Sequence, residues 1–348
     1  MTAANASDRS KTGVLLIQVG TPASPATRDV RRYLREFLSD PRVLDMPSAA
    51  RFLLLNAVIL PFRPKKSAAA YRKIWSDAGS PLTIHTTELA RAVQARLGAD
   101  YHVLPAMRYQ QPSLATALDD LALNGCTSVV LMPMYPQHAS ASTGTSLAKA
   151  FDLLGERFNV MPVATVPAFF GDAGFLDAQA AIARPVLQDF QPDHVLFSYH
   201  GLPEKQVQQS DLSGAHCLAS DACCEQISKA NHFCYRAQSF ATTRGVVERL
   251  GLSEDRCSTS FQSRLKGQAW IQPHTDVVLP ELATRGIKRL AVLTPSFVAD
   301  CLETIEEIGI RAAEQWESLG GSAFVRVPCV NASPEWADAV AALVRSAR

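Results

Sequence analysis

Short, mostly apolar runs alternate along the chain with longer segments whose apolar positions recur every three or four residues. Residues 14–17, 101–104, 128–132, 195–198 and 290–293 are the short runs, and they predict strands. The most apolar of them suit parallel strands buried on both faces. Residues 29–37, 87–97, 113–123 and 175–189 carry helical spacing; in the first, Val30, Tyr33, Leu34 and Phe37 share one side between charges. A long helical region is expected over 224–250 and a further helix over 301–316. Strands separated by helices predict an α/β fold of parallel sheets with helices on both faces.

The pattern repeats once. Val14-Leu-Leu-Ile-Gln-Val-Gly-Thr-Pro22 lies over Val195-Leu-Phe-Ser-Tyr-His-Gly-Leu-Pro203, and residues 129–135 lie over 291–297. Matching Gly and Pro offsets predict two similar halves facing each other across a cleft. We expect an N-terminal half over 12–165 and a C-terminal half over 166–348, behind a disordered lead-in, 1–11. In this echo Val19 stands where the second half has His200, so the reactive group belongs to the second half alone.

With 348 residues, 47% of them hydrophobic, there is material for two cores. A net charge of +1 gives no case for a nucleic-acid binder. No apolar run reaches a membrane span, and the polar N-terminus lacks a secretory signal. A cytoplasmic protein is expected, in which eight cysteines do not suggest a disulfide framework. One stretch departs from the soluble pattern. Residues 51–62 are almost wholly apolar and precede Arg63, Lys65 and Lys66. They suit either a buried helix or an apolar lip (48–64) that admits a greasy substrate or dips into the inner face of a membrane.

Chemistry gathers just past the carboxyl ends of strands in such sheets. His200 closes one run, in a turn set by Gly201 and Pro203. Its imidazole can take a proton or bind a metal near neutral pH. Past the last run stand Asp300, Glu303 and Glu307. In an α-helix starting near Asp300 they share a face, with Glu306 pointing elsewhere. Helix capping explains Asp300 but not Glu307, two turns in. A row of oxygen ligands suits a path for a divalent cation or for protons. Arg108-Tyr109 follow another strand, and the hydroxyl-rich run from Ser140 to Ser146 opens a helix, either as an anion site or as a cap.

Gln18-Val-Gly-Thr-Pro22, Tyr71-Arg-Lys-Ile-Trp75, Met107-Arg-Tyr109, Pro133-Met-Tyr-Pro-Gln137 with Ser142-Thr-Gly-Thr-Ser146, Ser198-Tyr-His-Gly-Leu-Pro203, Ser260-Phe-Gln-Ser-Arg-Leu265 with Trp270, and Asp300-Cys-Leu-Glu-Thr304 fall in the order and spacing of the ferrochelatases. The chain resembles that family over 13–316. The resemblance implies two Rossmann-like, chelatase-type halves with a macrocycle bound between them. It implies a lyase that inserts ferrous iron into a porphyrin, expected to be protoporphyrin IX, releasing two protons to form haem. It implies His200 and Glu303 at the iron, and Asp300 and Glu307 on the path to it. Arg108, Tyr109, Trp270 and Phe297, with Val19 and Ser140, are implied around the macrocycle, and the lip is implied to face a membrane. The rival readings are a non-catalytic haem or porphyrin carrier and a same-fold cobalt chelatase.

Cys217, Cys223, Cys224 and Cys234 crowd an insertion over about 210–235. Their spacing matches no zinc finger or ribbon, and four thiolates suit an iron–sulfur cluster. The chain resembles the ferrochelatases that carry cysteines in such an insertion, which implies a two-iron, two-sulfur cluster of structural or sensing use. Insertion at constant oxidation state needs no electron carrier.

Overall fold

In a computed structural model of the chain, residues 11–264 and 267–347 are described. The expected lead-in lies outside them except at Lys11, which is already the first residue of a strand. Two four-stranded sheets follow, parallel throughout. The first contains β1 (Lys11–Gly20), β2 (Tyr101–Tyr109), β3 (Cys126–Pro133) and β4 (Val163–Thr165), in the order β2-β1-β3-β4. The second contains β5 (His194–His200), β6 (Cys257–Gln262), β7 (Arg289–Leu293) and β8 (Ala323–Arg326), in the order β6-β5-β7-β8. The same order occurs twice, as the sequence echo implies, with one offset. Val14 pairs with Val130, whereas its counterpart Val195 pairs with Ala291.

Helices cover both faces. With the first sheet go α1 (Thr27–Ser39), α2 (Ser48–Leu53), α3 (Leu60–Ile74), α4 (Pro81–Leu97), α5 (Leu114–Leu123) and α6 (Thr145–Gly155). After them come α7 (Ala173–Phe190), α8 (Glu204–Gln209), α9 (Tyr235–Leu250), α10 (Thr275–Thr284), α11 (Ala313–Ser318) and α12 (Pro334–Ser346). Val14–Ile17 of β1 are wholly buried because alternate side chains enter different cores. Val14 and Leu16 pack with Leu89 and Val93 of α4, and Leu15 and Ile17 with Leu114 and Leu118 of α5. Each such side chain contributes about 1.5–3 kcal/mol on burial. The last helix, α12, crosses back to the first half. Its Trp336 stacks near Phe169 and Phe175, with ring centroids 5.4 and 5.6 Å away. Arg96 of α4 pairs with Asp338 and donates to the Pro334 carbonyl at 3.0 Å.

Three expected helices differ. The region 224–250 is helical only from Tyr235; Cys234 caps it, its thiol accepting from the Ala237 N–H at 3.5 Å. The helix expected over 301–316 opens as a π-helix, Glu303–Ala312, before α11. The apolar stretch is one helical path, α2, a π-helix (Leu54–Ile59) and α3. It is not a buried helix. Leu55, Leu60, Pro64, Ala68 and Tyr71 form the buried stripe, while Phe52, Leu53, Val58 and Phe62 are 70, 67, 53 and 76% exposed. The wider π turn keeps Leu55 and Leu60, five residues apart, on one side.

Candidate functional site

His200 is the last residue of β5 and half-buried. Its main-chain N–H donates to the Ser296 hydroxyl at 3.1 Å. Its Nδ1 lies 2.7 Å from the Gly201 carbonyl. A carbonyl only accepts, so Nδ1 carries the proton and Nε2 keeps a free lone pair, suited to accept a proton or bind a metal. The turn behind it is tight. The Gly201 N–H donates to the Gln262 carbonyl at 2.7 Å, and a Cβ on Gly201 would stand 2.8 Å from that oxygen and 3.2 Å from the Trp270 ring. Trp270 therefore backs the turn. Phe297 lies edge-on to the imidazole, with centroids 6.3 Å apart.

The carboxylates divide into two sets. Glu307 accepts from the Ser263 N–H at 3.0 Å and the Ser263 hydroxyl at 2.5 Å. Burial raises its pKa, the Ser263 bonds, Arg311 and His200 oppose the rise, and Glu303 adds to it. His200, Glu303 and Glu307 thus share one electrostatic neighbourhood. The Glu303 carbonyl accepts from Gln262 Nε2 at 3.0 Å, tying the start of the π-helix to β6. Burial keeps the Tyr33 and Tyr71 hydroxyls protonated, and the Glu303 charge reinforces it.

Asp300 and Glu306 face elsewhere. Asp300 is held by Arg326 at 2.5 Å, Thr304 at 2.8 Å and Asn331 at 3.0 Å. Burial would raise its pKa, but Arg326, Asn331 and Thr304 hold it below the ordinary carboxylate range. The expected common face of Asp300, Glu303 and Glu307 is therefore corrected. Asp300 precedes the helix, and the helix that follows is π-type, so α-helical spacing does not apply. Glu306 pairs with Lys73 of α3 at 3.5 Å and with Arg311 at 2.9 Å.

On the first half's side, Arg108 and Tyr109 are already engaged. Asp40 accepts from Arg108 Nη2 at 2.6 Å, the Tyr109 hydroxyl at 2.9 Å and the Thr145 hydroxyl at 2.5 Å. Tyr109 is buried, with Arg108 stacked on its ring at 4.4 Å. The buried Asp40 carboxylate thus engages both of the residues expected around the macrocycle. Val19 and Phe297 each pack against the cluster of Leu82, Ala299 and Cys301, which joins the two halves. Leu302 and Ile305 pack against the cluster of Tyr33, Tyr71 and Tyr109. Ser140 lies apart, accepting from Arg42 at 3.0 Å. It lines a hollow of about 310 Å³ with His138, Leu202, Gln206 and Phe233, on the insertion side of the His200 turn.

The four clustered cysteines are buried and close together. Cys223 and Cys224 sulfurs are 3.6 Å apart, and Arg236 Nη1 lies 3.1 Å from the Cys224 sulfur. Burial pushes the Cys217 and Cys223 thiols up, against a hydrogen bond with Cys234 at Cys217; a hydrogen bond with Cys234 and then burial do so for Cys224. Among the described residues, no three or more His, Cys, Asp or Glu are grouped to hold one metal ion. Sequence reasoning missed Asp40, Ser263, Ser296 and Lys73 as partners of the site; Ser263 and Lys73 lie within quoted motifs.

The ferrochelatase family model matches residues 11–348. A ferrochelatase of Coxiella burnetii (strain CbuK_Q154) is 43% identical over 338 residues, covering 97% of this chain and 94% of its own. One of Legionella pneumophila (strain Lens) is 43% identical over 332 residues, covering 95% and 98%. In fold, the chain is similar to SirB from Bacillus subtilis solved with Fe3+, at a TM-score of 0.55 and 10% identity over 97% of this chain and 95% of that one.

Proposed function

The chain belongs to the ferrochelatase family and is an enzyme that inserts ferrous iron into a porphyrin to make haem, and from that premise we propose that His200 and Glu303 receive the iron and the pyrrole protons. The observation that supports this is the sorting of charge. One imidazole with a free Nε2, Glu303 and Glu307 interact electrostatically, whereas Asp300 is held by Arg326 at 2.5 Å and Glu306 by Arg311 at 2.9 Å and Lys73 at 3.5 Å, Arg311 reaching Glu307 only at 3.6 Å. Two pyrrole N–H protons must leave as Fe2+ enters, with no change of oxidation state. His200 Nε2 takes one and the Glu303 carboxylate the other, and Glu307, its proton affinity raised by burial, is suited to carry both outward to solvent. A substrate metal must also depart, and two ligands hold it more loosely than a closed site would. Asp300 and Asp40 are positioning residues, the latter fixing Arg108 and Tyr109 behind the ring-binding wall. Val19 and Phe297, both packed on the Leu82–Ala299–Cys301 cluster between the halves, are the macrocycle contacts this reading favours.

The decisive comparison is E303Q in an anaerobic assay with ferrous salt and porphyrin. Turnover is expected to fall about a hundredfold while porphyrin binding stays within about threefold. Unchanged turnover would refute the assignment; a carrier would bind haem equally well with either residue and insert nothing.

The lip supports peripheral contact with a membrane surface, its exposed Phe52, Leu53, Val58 and Phe62 flanked by Arg63, Lys65 and Lys66. Among the described residues, no helix is long and apolar enough to cross a membrane. We take protoporphyrin over coproporphyrin as the substrate on the same ground, and a competition assay preferring the tetracarboxylate would overturn that choice. The four thiols fit a two-iron, two-sulfur cluster. Such a cluster takes two thiolates per iron, so it does not need three ligands around one ion. Arg236 Nη1, 3.1 Å from the Cys224 sulfur, places a positive charge beside the group. When bound, the cluster would supply a rigid cross-link of the insertion. Iron and sulfide content and visible absorbance, lost in C224S, test it; equal content in C224S and the parent chain would defeat it.

A further inference from the structure

The row of carboxylates past β7 ends on a cation. Along the π-helix, Glu303, Glu307 and Arg311 follow one another at four-residue spacing. Exposure rises in that direction, the Glu307 side chain being 21% exposed and that of Arg311 56%. The guanidinium therefore stands on the solvent side of Glu307. Its Nη2 lies 3.6 Å from Glu307 Oε2, and its Nε donates to Glu306 Oε2 at 2.9 Å. Glu306 is buried, and its other oxygen lies 3.5 Å from Lys73 Nζ of α3. Both oxygens of Glu307 accept from Ser263, one from the N–H at 3.0 Å and the other from the hydroxyl at 2.5 Å. Glu306 and Glu307 are thus balanced by Lys73 and Arg311, and every oxygen of the two carboxylates has a partner. A hard divalent cation is held by carboxylate oxygens open to it and by uncompensated negative charge. The outer end of the row offers neither.

We propose that Arg311, held by Glu306, guards the solvent end of the carboxylate row: it keeps divalent cations off Glu307 and leaves that carboxylate to protons. The inference rests on Glu307 as the outlet for the pyrrole protons. A proton on Glu307 makes a neutral carboxyl group, and its loss to a water molecule restores the carboxylate. A divalent ion arriving from solvent would bring two positive charges against the guanidinium, while Ser263 still occupies both oxygens. The guard thus separates two cargoes that a bare row of carboxylates would treat alike.

The test counts Mn2+ bound to the full chain without porphyrin, by the loss of the free-ion signal in electron paramagnetic resonance. R311Q is expected to bind about one Mn2+ more per chain than the parent at the same free concentration. R311K keeps the charge and is expected to match the parent. E307Q combined with R311Q is expected to lose the added ion, which places it at Glu307. Equal Mn2+ binding in R311Q and the parent would overturn the proposal, as would an added ion in R311K or one that survives E307Q. Turnover with ferrous salt and porphyrin then tests the reading beneath it. With Glu307 as the outlet, Mn2+ at a concentration that fills the added site is expected to lower the turnover of R311Q about tenfold more than that of the parent. Equal inhibition with the added ion bound would remove Glu307 from the proton path and leave the guard standing.

Discussion

The turns that end β1 and β5 are built alike and equipped differently. Each ends a central strand, each has a glycine pressed on the last carbonyl of the neighbouring strand, and each closes on a proline. A Cβ on Gly20 would collide with the Tyr109 carbonyl, and one on Gly201 would stand 2.8 Å from that of Gln262. The likeness continues past β3 and β7, where a π-helix follows in both halves, Ser140–Gly144 and Glu303–Ala312. Yet the first half places Val19 and small hydroxyls where the second places His200 and carboxylates. The scaffold positions whatever stands at the strand end; the chemistry comes from a handful of substitutions on it.

The largest test of this asymmetry exchanges the two positions. H200V with V19H moves the imidazole to the other turn, and turnover is expected to fall at least about a hundredfold, since the imidazole leaves the Gly201 carbonyl that fixes its tautomer. Recovery of activity would show that either turn serves equally. Next come the glycines. G20A meets both a positive φ of 106° and the Tyr109 carbonyl, and is expected to cost about 2–4 kcal/mol of stability in urea unfolding. G201A is expected to cost less stability but to lower kcat, because it displaces the carbonyl that holds Nδ1. Equal kcat in G201A and the parent chain would remove that carbonyl from the account.

Each half also buries one carboxylate in a positioning role. Burial opposes ionisation of Asp40 and Asp300 alike; hydrogen bonds from Thr145 and the Arg42 N–H, with Arg108 nearby, outweigh it in one, and Arg326 outweighs it in the other. Both pKa values are lower in the folded state than in the unfolded chain. Their stabilisation is therefore present above the ordinary carboxylate range and is lost as pH falls through the depressed values. D300N leaves Arg326 without its partner and is expected to cost about 3–5 kcal/mol at pH 7, the gap to the parent narrowing below about pH 4. A gap independent of pH would contradict the pairing. The smallest effect belongs to the lip. F52S with F62S is expected to release the protein from anionic lipid vesicles in flotation while leaving turnover on dispersed porphyrin within about twofold.

The alternation of buried runs and amphipathic segments made the sheets legible, and the echo of 14–22 over 195–203 anticipated their shared strand order. His200 was legible because turn residues bracket it at a strand end. What escaped was the fate of charges that look equivalent in sequence. Asp300, Glu306 and Glu307 differ in role because Arg326, Lys73 and Ser263 arrive from distant segments, and no local pattern announces those partners. The π geometry escaped for a related reason: it is fixed by packing against α3 and β6, not by propensity. Arg108 and Tyr109 were found as a pair, but Asp40, which binds both, sits at the end of α1 with nothing in its neighbours to mark it.

The most direct test of the central claim is single-turnover iron insertion by anaerobic stopped flow, following the Soret shift at saturating porphyrin in H200A and the parent chain. The account predicts an insertion rate at least about a hundredfold lower in H200A, with porphyrin fluorescence quenched to the same extent before iron is added. An insertion rate in H200A equal to the parent's would contradict it.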